Sequence, residues 1–430
     1  MPEARSRTAE IRALARHDLP RAEAALTALL AELFGIPVQG LAIRRDAHAL
    51  NSLFGDFESD GAPFFFKFHQ EEGEEEMAGE YYRADILARA GLPVDQPVHI
   101  SRVPGEQILV YHRRDDARFA DVLRDLERSP DEAGISRAVT AEAELNDRLL
   151  GVARDTLHPI TPAQSRAQPI HRLFHARLVD PASGSYPGGR LAQFYEGKTF
   201  ALPGCEVSWA ELATARPVLN GVAHARSLGE MFDFAHARLA PERLADAGGI
   251  TAHGDAHNAN VWYERHDAGD RLALFDPAFA GQDVPALLAE VKSTFHNVFA
   301  HPQWLYHPVE AAARFRASAR LEDGRLYLDT DWTPGAPRLR LLEAKADRFW
   351  RPWLVHLKGR GYLPPDWEDV IRAALFLSPT LVMNLRAGGG GGHDPVSSAI
   401  GLFVALRVGS APADDSSDIV TDFFRRVRPD

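Results

Sequence analysis

The period of the apolar positions changes several times along the chain, and each change marks an element. From Thr8 to Phe34 the residues Ile11, Leu14, Leu26, Leu29, Leu30 and Leu33 recur at helical spacing with a break at Pro20, so two N-terminal helices are predicted. From Leu41 to His69 the pattern is that of strands: one ending near Leu50, one from Leu53 to Glu58, a Ser59-Asp60-Gly61 turn, then Phe64-Phe65-Phe66-Lys67-Phe68. Helical spacing returns with Met77, Tyr81, Ala84 and Leu87 and stops at Gly91 and Pro93. Val98 to Ser101 and Gln107 to Tyr111, parted by Pro104-Gly105, read as a hairpin, and Phe119 to about Leu150 reads as helix.

Residues 158–205 break this rhythm. His171 to Val179 and Arg190 to Tyr195 flank a Pro-, Ser- and Gly-rich stretch, and together they predict a long inserted hairpin. Ser208-Trp209-Ala210-Glu211 is a capping box that opens a helical stretch running, with an interruption at Pro217, to about Leu239. Val261 to Tyr263 and Leu272 to Phe275 flank the turn signal Asp267-Ala268-Gly269-Asp270, a predicted hairpin that brings Asn260 and Asp276 to one end. From Val284 onward the pattern is largely helical, and Gly388 to Gly392 read as a loose link before a last helix from about Val396.

Composition narrows the class. With 430 residues the chain exceeds one ordinary small core, and its 45% hydrophobic and 25% charged residues are those of a soluble globular protein. A formal net charge of -12 argues against a nucleic-acid-binding surface. The single cysteine, Cys205, excludes an intrachain disulfide and fits a reducing compartment. Neither an apolar leader core nor an apolar run of about 20 residues is present, so a cytoplasmic protein without a membrane partner is expected. The oligomeric state leaves no trace in the sequence.

The chemistry concentrates in His253-Gly254-Asp255-Ala256-His257-Asn258-Ala259-Asn260 and in Asp276, which closes the following hairpin. A loop carboxylate, an amide five residues on and a second carboxylate can together hold a divalent cation and orient a hydroxyl. Lys67 stands within a run of phenylalanines, where an ammonium calls for an anion. The helix that follows supplies one candidate, Glu80.

At these residues the chain resembles the aminoglycoside phosphotransferase and choline kinase family, the small-molecule branch of the protein-kinase-like fold. The resemblance implies an α+β, two-lobed architecture: an N-lobe with an antiparallel sheet and a helix over residues 1–112, and a larger, mostly helical C-lobe over 113–430 that carries the inserted hairpin. It implies ATP and Mg²⁺ as cofactors, with Asn260 and Asp276 as metal ligands and Asp255 taking or orienting the acceptor proton. By the same resemblance His253 braces the catalytic loop, His257 helps place acceptor or metal, and Lys67 paired with Glu80 binds the donor phosphates. Asn51 and Ser52 fall at the phosphate-covering loop, and the main chain near Tyr111 falls at the adenine hinge. Gly281-Gln282-Asp283 resembles the segment after the metal Asp, although the usual second Asp is absent. The activity implied is transfer of the ATP γ-phosphate to a hydroxyl of a small metabolite or antibiotic. The basic residues Arg172, His175, Arg177, Arg190 and Lys198 of the insertion suggest an acceptor bearing a carboxylate or phosphate. Three other readings compete: a kinase-like protein that only binds nucleotide, a nucleotidyltransferase on the same fold, and a metallohydrolase using His253, Asp255 and His257.

Overall fold

The computed structural model describes residues 6–44, 52–69, 83–101, 103, 106–300 and 304–430. Asn51 and Glu80 lie outside the described residues, as does the side chain of Ser52. The chain divides into two compact units, Met1–Asp85 with Val94–Asp116, and Ile86–Pro93 with Ala117–Asp430.

In the first unit, α1 (Arg7–His17) and α2 (Leu19–Phe34) meet at Asp18, which ends one helix and caps the next through its side chain. The break therefore falls before Pro20, which sits in the first turn of α2, where the missing N–H leaves no bond unmade. Five antiparallel strands follow: β1 (Gln39–Arg44), β2 (Ser52–Ser59), β3 (Ala62–His69), β4 (His99–Ile100) and β5 (Leu109–His112), in the order β1-β2-β3-β5-β4. The period of two along β3 sends Phe64, Phe66 and Phe68 into a core shared with Leu26, Leu29 and Leu30 of α2. Each buried phenylalanine contributes about 2 kcal/mol by area. The same alternation puts Lys67 on the opposite face, half-buried, in register with Phe54 and Leu109. Tyr111 on β5 pairs with Phe65.

Helix α3 (Arg83–Arg89) ends before Gly91, whose φ of 91° suits a residue without a Cβ. In the second unit the short β6 (Ala117–Arg118) leads into α4 (Phe119–Arg128) and the long α5 (Glu132–Thr156), capped by Asp131 through two main-chain N–H groups. Next come α6 (Pro162–Arg166), two 3-10 turns, Pro169–Leu173 and His175–Arg177, and α7 (Gly189–Phe194). The expected inserted hairpin over 171–195 is not formed: both of its arms are turns and helix. The hairpin in this region is instead β7 (Thr199–Leu202) with β8 (Cys205–Ser208).

The capping box at Ser208 and Glu211 forms as read, but its helix α8 (Trp209–Thr214) is short. Pro217 lies in a strand, β9 (Arg216–Leu219), beside β10 (Val222–Ala223), and helix resumes only in α9 (Leu228–Arg238). The pair β11 (Gly249–Ala252) and β14 (Gly281–Pro285) brackets the hairpin of β12 (Val261–Glu264) and β13 (Arg271–Leu274). After α10 (Val291–Phe295) and α11 (Pro308–Arg314) comes a second hairpin, β15 (Ala317–Glu322) with β16 (Arg325–Thr330), within a region that reads as largely helical. Strand β16 pairs in parallel with β9, giving a four-stranded sheet. The chain closes with α12 (Ala336–Lys345), α13 (Arg351–Arg360), α14 (Trp367–Thr380), α15 (Pro395–Gly409) and α16 (Ile419–Val427).

The glycines before α15 form no loose link. They wrap Asn384, whose Nδ2 donates to the Gly389 carbonyl at 2.7 Å, and a Cβ on Gly391 would lie 2.4 Å from the Asn384 carbonyl. Buried polar groups of the helical core hold residues 286–297 in place. Lys345 donates to Glu290 at 2.6 Å and to Asn146 at 2.8 Å; Trp350 Nε1 reaches Thr294 at 2.8 Å, and Arg338 reaches the Asn297 carbonyl at 2.8 Å. These bonds fix α10 and the π-helical turn His296–Ala300 that continues it.

Candidate active site

The site is assembled by the β12–β13 hairpin and the loop before it. Register pairs Val261 with Leu274, and the Phe275 N–H donates to the Asn260 carbonyl at 3.0 Å, so Asn260 and Asp276 stand at one end as expected. Asp276 has a φ of 56°, a conformation that costs a non-glycine residue roughly 1–3 kcal/mol and that clusters at functional sites. The Asn260 Nδ2 donates to the Asp255 carbonyl at 3.0 Å, which turns its carboxamide oxygen away from that bond.

His253 is fully buried and spends both ring nitrogens: Nε2 donates to the Phe275 carbonyl at 2.9 Å, and Nδ1 accepts the Asp255 N–H at 3.3 Å. A histidine so engaged has no lone pair left for a metal. Among the described residues, no group of three or more His, Cys, Asp or Glu could hold a metal ion, so the hydrolase reading built on His253, Asp255 and His257 loses its ligands. Gly254 has a φ of 79°, and a Cβ there would lie 2.9 Å from the Phe279 carbonyl and 3.4 Å from Ile170. Only glycine lets the loop run this close to the strand end and to the Pro169–Leu173 turn.

Asp255 follows. Its Oδ1 is enclosed without a hydrogen-bond partner, and its Oδ2 lies 3.9 Å from His257 Nε2. Burial pushes the carboxyl up to about 6, against the pull of Lys292, His253 and Arg177 and with a further push from Asp276. The His257 ring stacks on His296 at 5.1 Å, and His296 faces Tyr306 at 6.0 Å, while the Asn258 N–H donates to Asn297 Oδ1 at 2.7 Å. The loop that carries Asp255 is thereby tied to α10 and its π-helical extension. π-Helical turns inside helices recur at functional sites.

Lys292 on α10 is the residue that the sequence reading missed. It is 2% exposed, and burial brings its ammonium down to about 7, with Asp255 opposing and Arg177 and Arg190 adding to the shift. Arg177, noted in the sequence only as one of several basic residues, acts on Asp255, Lys292 and Tyr306 alike.

No protein-family model and no curated protein sequence matches the chain. Solved structures do resemble it. A thermostable mutant of aminoglycoside phosphotransferase APH(4)-Ia, in ternary complex with ADP and hygromycin B, superposes with a TM-score of 0.41 at 14% identity, covering 90% of this chain and 99% of that one. The chain is similar to small-molecule phosphotransferases. An ethanolamine kinase of Plasmodium vivax gives 0.37 at 9% identity, with 95% of each chain covered. A macrolide 2'-phosphotransferase of Brachybacterium faecium gives 0.35 at 14% identity, over 82% of this chain and 97% of that one.

Among the described residues, no helix is long and apolar enough to cross a membrane.

Proposed function

We propose that the protein transfers the γ-phosphoryl group of ATP to a hydroxyl of a small molecule. One observation carries the reading: a half-buried carboxylate with one enclosed, unpartnered oxygen, Asp255, lies in a loop braced by His253, and that loop leads to a hairpin end presenting Asn260 and Asp276. In the reaction the acceptor hydroxyl gives its proton to Asp255, its oxygen bonds to the γ-phosphorus, and the bond to the leaving ADP breaks in line. A carboxyl at about 6 is largely ionised at neutral pH and still basic enough to take that proton.

Phosphoryl transfer demands charge neutralisation more than covalent help. The donor set fits Mg²⁺, since a carboxamide oxygen and a carboxylate are hard oxygen ligands of the kind this ion takes together with phosphates and water. Asn260 and Asp276 are therefore assigned to hold it, and the ion supplies neutralisation of the transferring phosphates. Lys67 is assigned to the donor phosphates, and the Tyr111 main chain to adenine. Glu80, Asn51 and Ser52 keep the roles implied by the family resemblance. His257, stacked on His296 with its Nε2 3.9 Å from Asp255, is assigned to placing the acceptor.

The test is an ADP-release screen of the purified protein with Mg-ATP and a panel of hydroxyl compounds, followed by mass analysis. Gain of one phosphate by an acceptor supports the proposal. Transfer of AMP, or nucleotide binding with no consumption across the panel, would replace it with one of the two rival readings.

A further inference from the structure

Three segments far apart in the chain meet at Asn297, the second residue of the π-helical turn His296–Ala300. Its Oδ1 accepts the Asn258 N–H at 2.7 Å, and its carbonyl accepts Arg338 Nη1 at 2.8 Å. Arg338 of α12 forks in turn onto Glu127 of α4, through Nε and Nη2 at 3.1 and 3.2 Å. All four residues of this relay have buried side chains. A buried network whose members are hydrogen-bonded to one another is rigid, because a broken bond leaves a polar group with no water to replace its partner. Asn297 is therefore fixed from behind by an ion pair that is itself locked in the helical core.

What Asn297 holds is the middle of the loop between Asp255 and Asn260. Within that loop the His257 N–H donates to the Asp255 carbonyl at 2.8 Å, the Asn260 N–H to the His257 carbonyl at 2.7 Å, and Asn260 Nδ2 to the Asp255 carbonyl at 3.0 Å. Residues 255–260 thus form one closed unit, and a shift at its centre moves the carboxylate and the carboxamide together. The hairpin secures one end of the unit, where the Phe275 N–H meets the Asn260 carbonyl at 3.0 Å. Asn297 secures the middle. Asn258 is 0% exposed, yet both amide atoms of its side chain are enclosed without a hydrogen-bond partner among the described residues. Its main-chain N–H, and not its side chain, is what joins this residue to the core.

We infer that Asn297 is a positioning residue for phosphoryl transfer: backed by Arg338 and Glu127, its side-chain oxygen sets the loop so that Asp255 and Asn260 stand where the reaction needs them. The inference rests on the phosphotransfer reading and gives Asn297 no contact with substrate. A displacement of about 1 Å at the reacting groups costs on the order of 10²-fold in rate, and that is the loss expected when the tether is cut.

The test uses the full-length protein with Asn297→Leu, which keeps the size and loses the acceptor oxygen, and Asn297→Asp, which keeps an acceptor. Asn297→Ala carries the same comparison if the leucine variant does not fold, as judged by circular dichroism. Amide hydrogen exchange followed by mass spectrometry needs no substrate: exchange over residues 254–261 should quicken about tenfold in Asn297→Leu and stay near wild type in Asn297→Asp. With Mg-ATP and an acceptor from the screen, kcat should fall on the order of 10²-fold in Asn297→Leu while the KM for ATP stays within about threefold, and Asn297→Asp should recover to within about threefold of wild type. Wild-type exchange in Asn297→Leu, undiminished kcat in Asn297→Leu, or equal losses in the leucine and aspartate variants each overturn the inference. An active wild type matched by Asn297→Leu removes the tether and leaves the kinase standing. The expected exchange pattern, in a protein that phosphorylates no compound of the panel, keeps Asn297 as the residue that sets the loop and removes the kinase.

Discussion

Replacing Lys292 by Met should stabilise the protein while damaging its activity, and the gain should depend on pH in a way that identifies the lysine as its source. An ammonium that titrates at about 7 in the fold and near 10.5 in the unfolded chain costs the native state about 5 kcal/mol at any pH below 7. Between pH 7 and 10.5 the folded form sheds the proton first and the penalty shrinks; above 10.5 it is gone. The carboxyl left behind moves the other way. Asp255, at about 6 against 3.8, already costs about 3 kcal/mol at neutral pH, and without Lys292 it protonates at a further expense of about 1 kcal/mol. The net gain at pH 7 is therefore on the order of 3 kcal/mol, falling by about 1.4 kcal/mol for each pH unit above 7. All seven tryptophans lie between Trp209 and Trp367, so their fluorescence reports unfolding of the second unit alone. Urea melts at pH 6.5, 7.5, 8.5 and 9.5 then give the gap between variant and wild type. The acid limb of kcat/KM, set near pH 6 by Asp255 in the wild type, should move to higher pH in the variant, because Lys292 is the main charge holding that carboxyl down. A variant less stable than wild type at pH 7, or a gap that does not change with pH, would refute the reasoning.

The other core lysine gives the opposite sign: Lys345→Met strands the buried Glu290 and should lower stability by about 3–5 kcal/mol in the same melts. Asp255→Ala should bind Mg-ATP like wild type in a nucleotide-fluorescence titration and lose about 10²–10⁴ in kcat. Asp276→Ala should lose turnover together with the Mg²⁺ dependence of nucleotide binding; a variant with an unchanged Mg²⁺ titration would remove Asp276 from the metal site.

Much of this was legible because the relevant signals are local. The β12–β13 hairpin is written in two short apolar runs around a Gly-Asp turn, and its register follows from that spacing, which alone suffices to bring Asn260 and Asp276 together. The N-terminal helices and the sheet of the first unit follow equally from period. The long insertion was misread because the alternation in His171 to Val179 is accidental: Pro169 opens a 3-10 turn, and Gly188 and Gly189 fold the chain back on Val179 instead of pairing it with a partner strand. The second hairpin was missed although its signal is present, Asp323-Gly324 between alternating runs, with φ of 48° and 70° at the two turn residues.

Lys292 was missed for a different reason. It belongs to an apolar helical stretch, Leu287 to Ala300, that reads as core, and its neighbours in space, Arg177, Arg190 and Asp255, are drawn from three other segments far apart in the chain. No periodicity links residues that distant. An ammonium inside an apolar run calls for an anion, and this holds with more force for Lys292 than for Lys67. Lys67 escapes to the far face of its strand by the alternation of β3, whereas Lys292 stands on a helix packed on the Glu290–Lys345 pair and on Trp350 and is only 2% exposed. A charge on such a helix leans on the groups packed around it, and the carboxylate that acts on Lys292 is Asp255, the group proposed to take the acceptor proton.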